Sequence, residues 1–257
     1  MVLTLQAIDL AIGYPGRTVG SGFSLTLHAG EVMALLGPNG SGKTTLLKTL
    51  LGLLPAHGGR VELAGRELAS HTSAERARHL AYVPQTLGAG FGFTVREWVL
   101  MGRTAHGSLF AAPSTHDRAL VDAAIGRMGI AALAERPTTM ILGGERQLAL
   151  IARALAQQAR LVVLDEPTAN LDFGNQGKVM REIRRLADDG LGVLFTTHDP
   201  NHAARFADVA LLIRDGRPLA SGPVASVIDA PQLAALYGSP VIALRDPVSG
   251  EQAFLPT

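Results

Sequence analysis

The 257-residue sequence contains no cysteine. That removes disulfides, thiolate metal ligands and cysteine nucleophiles, and it fits a reducing compartment. It also lacks net charge: 23 Lys and Arg stand against 22 Asp and Glu, for a balance of +1. Without a strong basic field, charge-driven nucleic-acid binding is disfavoured, and no nucleic-acid partner is expected. Long apolar runs are missing too, all falling far short of the roughly 20 residues that span a bilayer. The N-terminus reads as no secretory leader, because Met1-Val2-Leu3-Thr4-Leu5 alternates like a strand and has no basic stretch before it. Repeats, heptads and low-complexity tracts are absent. A soluble chain is expected, free to dock on a membrane protein. Its 47% hydrophobic and 18% charged content supports a large core rather than disorder. The length allows one domain with a sub-domain.

Against this background one stretch stands out: Gly37-Pro38-Asn39-Gly40-Ser41-Gly42-Lys43-Thr44. It fits the phosphate-loop pattern G-x-x-x-x-G-K-[ST]. Val32 to Leu36 before it reads as a buried strand, and Thr45 to Leu51 after it as a helix. Glycines there let backbone N–H groups point inward, and the helix N-terminus adds partial positive charge. Lys43 is placed to reach outer phosphates and the Thr44 hydroxyl to ligate Mg²⁺.

Elsewhere, residues 2 to 30 read as strands and turns, with a turn signal at Gly13-Tyr14-Pro15-Gly16. Tyr14 is either a turn or core aromatic or a platform for a base. Arg60 to Leu63 alternates as a strand, Ser73 to Arg78 reads as a short helix, and Leu80 to Gln85 as a strand stopped by Pro84. Between residues 86 and 158 no strand pattern appears. Glycines loosen the stretch from Thr86 to Gly92, and Thr94 is expected to cap a helix through Met101. Gly102 to Pro113 reads as a loop. Two further helices are expected, Asp117 to Met128 and Glu145 to Gln158.

Two apolar runs then end in polar chemistry. Leu161 to Leu164 leads into Asp165-Glu166, and Gly192 to Thr197 leads into His198. Such runs suit parallel strands buried on both faces, and ligands sit at the carboxyl ends of those strands. Asp165 there suits Mg²⁺ ligation, and Glu166 suits a general base toward water. His198 is either structural or a donor to a γ-phosphate. Gln85, at another strand end, is either structural or a sensor of Mg²⁺ or water. Gly174 to Ala187 and Asn201 to Phe206 read as helices, Val209 to Ile213 as a strand, and Asp215-Gly216 as a hairpin turn. Ser226 to Tyr237 reads as a helix broken at Pro231, followed by a small strand pair.

Taken together, the set resembles the nucleotide-binding subunits of ABC transporters over nearly the whole chain. Gly37 to Thr44 is similar to Walker A, and Tyr14 to the base-stacking aromatic. Gln85 stands at the Q-loop, Asp165 and Glu166 at Walker B and the catalytic glutamate, Asn170-Leu171-Asp172 at the D-loop, and His198 at the switch histidine. The signature motif L-S-G-G-[EQ] reads here Ile141-Leu142-Gly143-Gly144-Glu145, with Leu142 in the serine position. The fold implied is α/β: a P-loop NTPase (ABC ATPase) core with an antiparallel β sub-domain and a helical sub-domain. Residues 1–85 and 159–257 would form the core with its β sub-domain, and 86–158 the helical sub-domain, in a single domain.

The resemblance implies ATP and Mg²⁺ as cofactors. Nucleotide contacts would come from Tyr14, Gly37, Pro38, Asn39, Gly40, Ser41, Gly42, Lys43, Thr44, Thr45 and Asp165. Asp172 would contact the nucleotide as well, and a second copy would complete the site with its Leu142, Gly143, Gly144 and Glu145. Thr44, Gln85 and Asp165 would hold the metal, while Glu166, His198, Lys43 and Gln85 would carry catalysis. It implies as partners a second copy of the chain, a transmembrane permease and, indirectly, a substrate-binding protein. The chain would then lie on the cytoplasmic side of the inner membrane. Val99 to Arg103 with Leu109-Phe110 and Pro113, and Thr197 to His202, are similar to importers of iron–siderophore, haem, cobalamin or metal oxyanions. The alternatives are a soluble ABC protein without a permease, or a cassette that binds ATP with impaired hydrolysis.

Leu142 generates a prediction. The family serine donates to the γ-phosphate held by the opposite subunit, and losing a hydrogen bond to a charged group costs on the order of 1.5–3 kcal/mol. Leu142→Ser is expected to raise the ATPase rate and ATP-dependent dimerisation. Steady-state hydrolysis and sizing with ATP check this, and unchanged values for both would contradict it.

Overall fold

Alternation in the first part of the chain becomes two long strands, β1 (Thr4–Tyr14) and β2 (Arg17–His28), joined by a tight turn at Pro15-Gly16. The computed structural model of the chain describes residues 4–85, 92–106, 112–169, 171–248 and 250–257. The glycine-rich stretch from Thr86, the Leu109-Phe110 pair and Asn170 lie outside the described residues.

In chain order there follow β3 (Val32–Leu36), buried at all five positions, α1 (Lys43–Leu50), β4 (Gly58–Leu63) and β5 (Arg66–Glu67). Next come α2 (Ser73–His79), β6 (Leu80–Val83), α3 (Val95–Leu100), α4 (Thr115–Arg127) and α5 (Gly143–Ala156). The chain continues with β7 (Leu161–Leu164), α6 (Phe173–Asp188), β8 (Gly192–Thr197), α7 (Pro200–Phe206), β9 (Val209–Arg214) and β10 (Arg217–Pro223). It ends with α8 (Val224–Val227), α9 (Ala230–Tyr237) and the strand pair β11 (Val241–Arg245) and β12 (Gln252–Pro256). Among the described residues no helix is long and apolar enough to cross a membrane.

Two elements differ from the sequence reading. The expected loop from Gly102 opens as a 3₁₀ turn, Met101–Ala105. The expected helix over Ser226 to Tyr237 is two helices, α8 and α9. The break falls at Ile228-Asp229, and Pro231 lies in the first turn of α9, where its missing N–H costs nothing. Asp229 caps that turn through the Gln232 N–H at 2.7 Å.

The described residues divide into two compact units, one up to Ser70 together with Met180–Thr257, the other His71–Val179. The first unit holds an antiparallel sheet ordered β2-β1-β4-β5 and a second group of strands ordered β10-β9-β3-β8. Here β3 runs parallel to both neighbours, with Leu36 opposite Thr197 of β8 and Leu212 of β9. Its core includes Leu35, Leu46, Leu47, Leu50 and Phe195, all fully buried. Each such side chain contributes about 1.5–3 kcal/mol of transfer free energy.

In the second unit β6 pairs in parallel with β7, and α3, α4 and α5 pack on one another. Three of its helices begin with complete capping boxes: Thr72 with Glu75, Thr94 with Glu97, and Ser114 with Asp117. Their joint is the Gly102-Arg103 pair. A Cβ on Gly102 would lie 2.3 Å from the Arg153 carbonyl, so only glycine lets α5 approach this closely. Arg103 is buried beside it. Its Nε donates to Asp117 at 2.8 Å, and its Nη1 donates to the Ala156 carbonyl at 2.8 Å and to Gln158 Oε1 at 3.0 Å. The Ser114 hydroxyl and the Arg103 guanidinium hold the Asp117 carboxyl well below the usual carboxylate range.

The two glycine environments predict opposite outcomes. Gly102→Ala overpacks the joint and is expected to cost about 1–3 kcal/mol. Gly126→Ala, in α4 with nothing within 4 Å of the added Cβ, is expected to gain about 0.5–1 kcal/mol. Urea unfolding of both variants checks the pair, and equal midpoints for the two would contradict it.

Candidate active site

The first unit builds the phosphate loop from the end of β3. Gly37 follows Leu36 directly, and a Cβ there would meet the Ile213 carbonyl at 2.2 Å and Ser41 Oγ at 2.8 Å. Gly40 and Gly42 have φ of 81° and 103°, in the left-handed region that glycine tolerates. The backbone therefore curls tightly before α1, whose first residue is Lys43. The Lys43 ammonium donates to the Gly37 carbonyl at 2.7 Å and the Pro38 carbonyl at 3.0 Å, folded across the loop. Pro38, Asn39 and Gly40 complete the turn, and the Ser41 N–H donates to the Pro38 carbonyl at 3.3 Å. Thr44 and Thr45 lie in the first turn of α1, with Thr45 buried.

Ser41 Oγ is buried and lacks a hydrogen-bond partner. A buried hydroxyl left so costs about 1–3 kcal/mol. It sits in a cradle of inward-turning backbone at a helix N-terminus, where an anion belongs. These residues fit a polyphosphate. Among the described residues no group of three or more His, Cys, Asp or Glu could hold a metal ion by itself. A Mg²⁺ site shared with phosphates, as Mg²⁺ prefers, needs no such cluster.

The parallel register brings a second residue to this end. Leu36 pairs with Thr197, so Gly37 and His198 leave adjacent strands side by side. His198 starts the turn into α7, where Asp199 accepts from the Asn201 N–H at 2.8 Å. His202, one turn on, lies 3.7 Å from Asp199. Burial lowers the His202 pKa, and the neighbouring His198 adds to this, against the Asp199 carboxylate.

The antiparallel sheet reaches the loop from the other side. Gly42 lies where an added Cβ would be 3.4 Å from Val19 and 3.6 Å from Ile12. Two residues beyond Ile12, Tyr14 closes β1 opposite Arg17 and is 42% exposed. Tyr14 is thus not a core aromatic.

The second unit repeats the strand-end logic. Val83 pairs with Leu164, which sets Gln85 beside Asp165 and Glu166. The Asp165 N–H donates to the Val83 carbonyl at 2.9 Å, and Asp165 is only 3% exposed. Burial, helped by the Asp165 charge, pushes the Tyr82 hydroxyl up to about 12. Glu166 adopts φ of 44°, a left-handed conformation that costs a non-glycine residue on the order of 1–2 kcal/mol. Its Oε2 accepts from Gln85 Nε2 at 3.2 Å.

The same unit holds the signature segment. Leu142 is the N-cap of α5 and 74% exposed. Glu145 accepts from the Leu142 N–H at 2.9 Å, but leucine returns nothing to the helix. This is half a capping box where α2, α3 and α4 each have a whole one. Gly143 and Gly144 form the first turn. A Cβ on Gly144 would lie 3.0 Å from Asn175 Nδ2, and Asp172 binds that same side chain at 2.7 Å and its N–H at 2.8 Å. Asn175 therefore links the signature turn to Asp172. Sequence reasoning missed it, although an Asx side chain three residues after an aspartate is a recognisable capping signal.

The model of a protein family described as "ABC transporter" matches residues 21–169. A second, described as an AAA domain, putative AbiEii toxin of a type IV TA system, matches the shorter stretch 144–202. The chain is 40% identical over 99% of its length to the hemin import ATP-binding protein HmuV of Rhodococcus jostii, covering 86% of that protein. It is 36% identical over 88% of its length to the iron(3+)-hydroxamate import ATP-binding protein FhuC of Bacillus subtilis, covering 84% of it. Among solved structures it matches an inward-facing conformation of a putative metal-chelate type ABC transporter. The TM-score is 0.88 at 32% identity, covering 99% of this chain and 98% of the other. The chain therefore belongs to the ABC transporter family as an α/β ATP-binding domain, and it is an ATPase.

Proposed function

We propose that the chain is the ATP-hydrolysing subunit of an importer, powering uptake of a metal chelate or metal oxyanion through a partner permease. Iron–siderophore, haem and cobalamin are the cargo chemistries that fit. The observation that carries this reading is end-to-end similarity to proteins named for hemin and iron(3+)-hydroxamate import. Val99 to Arg103, the joint of α3, α4 and α5, lies inside that similarity. The subunit would sit on the cytoplasmic side of the inner membrane, held there by the permease. The helical segment between residues 86 and 158 and the Gln85 loop would meet that permease.

In this reading Tyr14 stacks on the adenine, and the loop from Gly37 to Thr45 wraps the phosphates with backbone N–H groups and the Ser41 hydroxyl. Lys43 would leave its two carbonyls for the outer phosphates, exchanging neutral acceptors for charged ones. Thr44 and Asp165, with Gln85, would hold Mg²⁺, which neutralises phosphate charge when bound. Glu166 would orient water and take its proton once Gln85 turns away from it. His198 would donate to the γ-phosphate. Leu142 to Glu145 and Asp172 would complete the site of a second copy.

Glu166→Gln tests the chemical half of this account. A general base contributes typically about 10²–10⁴-fold. The variant is expected to bind ATP as tightly as the parent while hydrolysis falls by at least about 100-fold. Nucleotide affinity and phosphate release, measured side by side, check it. Undiminished hydrolysis would remove Glu166 from the chemistry. Purification from membranes tests the other half: recovery with a polytopic protein supports import, and recovery only with ribosomes contradicts it.

A further inference from the structure

Tyr237 lies 39 positions beyond His198, at the last residue of α9. Its hydroxyl donates to the His198 carbonyl at 2.7 Å. The next N–H in the chain, that of Asp199, donates to Thr197 Oγ1 at 3.0 Å. These two groups belong to one peptide unit. None of the described peptide bonds is cis, so its C=O and N–H point to opposite sides. The peptide that follows the histidine is therefore held from both sides, which limits rotation about the His198 Cα–C bond.

The clamp is anchored to the sheet that carries the phosphate loop. Leu233 and Leu236 bury one face of α9. Arg214, the last residue of β9, donates to the Ala235 carbonyl in the final turn. β9 pairs with β3, which leads directly into Gly37. The Asn201 side chain accepts from the Phe254 N–H at 2.7 Å and donates to the Phe254 carbonyl at 3.2 Å, tying α7 to β12. Burial, with the Asp199 charge, raises the Tyr237 pKa above its ordinary value, so the phenol stays protonated and able to donate.

We propose that Tyr237 is a positioning residue for His198: it fixes the peptide after the histidine and so aims the imidazole at the phosphate-loop end of β3. The proposal rests on the reading of His198 as a γ-phosphate donor. Tyr237 touches no reacting atom and acts through the backbone. A small misaim at a reacting centre is costly, since displacement by about 1 Å can cost on the order of 100-fold in rate.

Single-turnover cleavage of ATP by excess full-length chain tests this, with Mg-ATP affinity measured in parallel. Tyr237→Phe keeps the ring and removes only the hydroxyl. Its cleavage rate is expected to fall about tenfold, the scale of one lost hydrogen bond, while affinity stays within about twofold. Thr197→Val removes the opposite clamp and is expected to act likewise. The double variant should lose less than the product of the two, because both act on one peptide. Cleavage by Tyr237→Phe within about twofold of the parent overturns the proposal. An equal loss of nucleotide affinity also overturns it, by making Tyr237 a general structural residue. Cleavage by His198→Ala at the parent rate would instead remove the underlying reading of His198.

Discussion

The first unit depends on one register. With Leu36 opposite both Thr197 and Leu212, the ends of β3 and β8 coincide, while β9 runs on past Leu212 to Arg214. Gly37 and His198 consequently leave the sheet side by side, and Ile213 closes against Gly37 from the other flank. A slip of one residue would turn every side chain of β3 to the opposite face and withdraw the loop from the histidine. Packing enforces the register, because β3 and β8 are buried along their whole lengths and a slip would repack both of their faces. The second unit obeys the same rule on a smaller scale: Val83 opposite Leu164 sets Gln85 beside Glu166.

Three residues read as functional carry strain or incomplete bonding. Glu166 holds a left-handed backbone that a side chain disfavours, immediately after a buried strand. Ser41 keeps a buried hydroxyl without a partner. Leu142 leaves α5 half capped, whereas neighbouring helices of the same unit are fully capped. A chain optimised for folding alone would have removed all three. Their persistence fits the proposed site, whose missing partners would be ligands and a second subunit.

Much of this was legible in the sequence because the decisive signals are local. Four apolar residues ending in Asp165, three apolar residues and two threonines ending in His198, and glycines ahead of Lys43 announce parallel strands with chemistry at their ends. Thr94 before Val95-Arg96-Glu97 announced its own cap. Contacts made across long stretches of chain were not legible. Nothing near Gly102 in sequence says that the Arg153 carbonyl rests on it. Tyr237 looks like an ordinary aromatic at a helix end until the fold sets it on His198. Pro231 was misread for a subtler reason, since proline both breaks helices and starts them. The cap at Asp229 decided between the two.

The central claim is that the phosphate loop is half a site, completed by the signature turn of a second copy. Mixing two inactive chains tests it most directly: Lys43→Ala, which spoils the loop, and Gly144→Asp, which spoils the signature. A mixed pair carries both lesions in one composite site and none in the other. The account predicts that ATP hydrolysis, absent from each variant alone, returns on mixing. If the mixture stays as inactive as its components while the two chains associate, the site is not shared and the account is wrong.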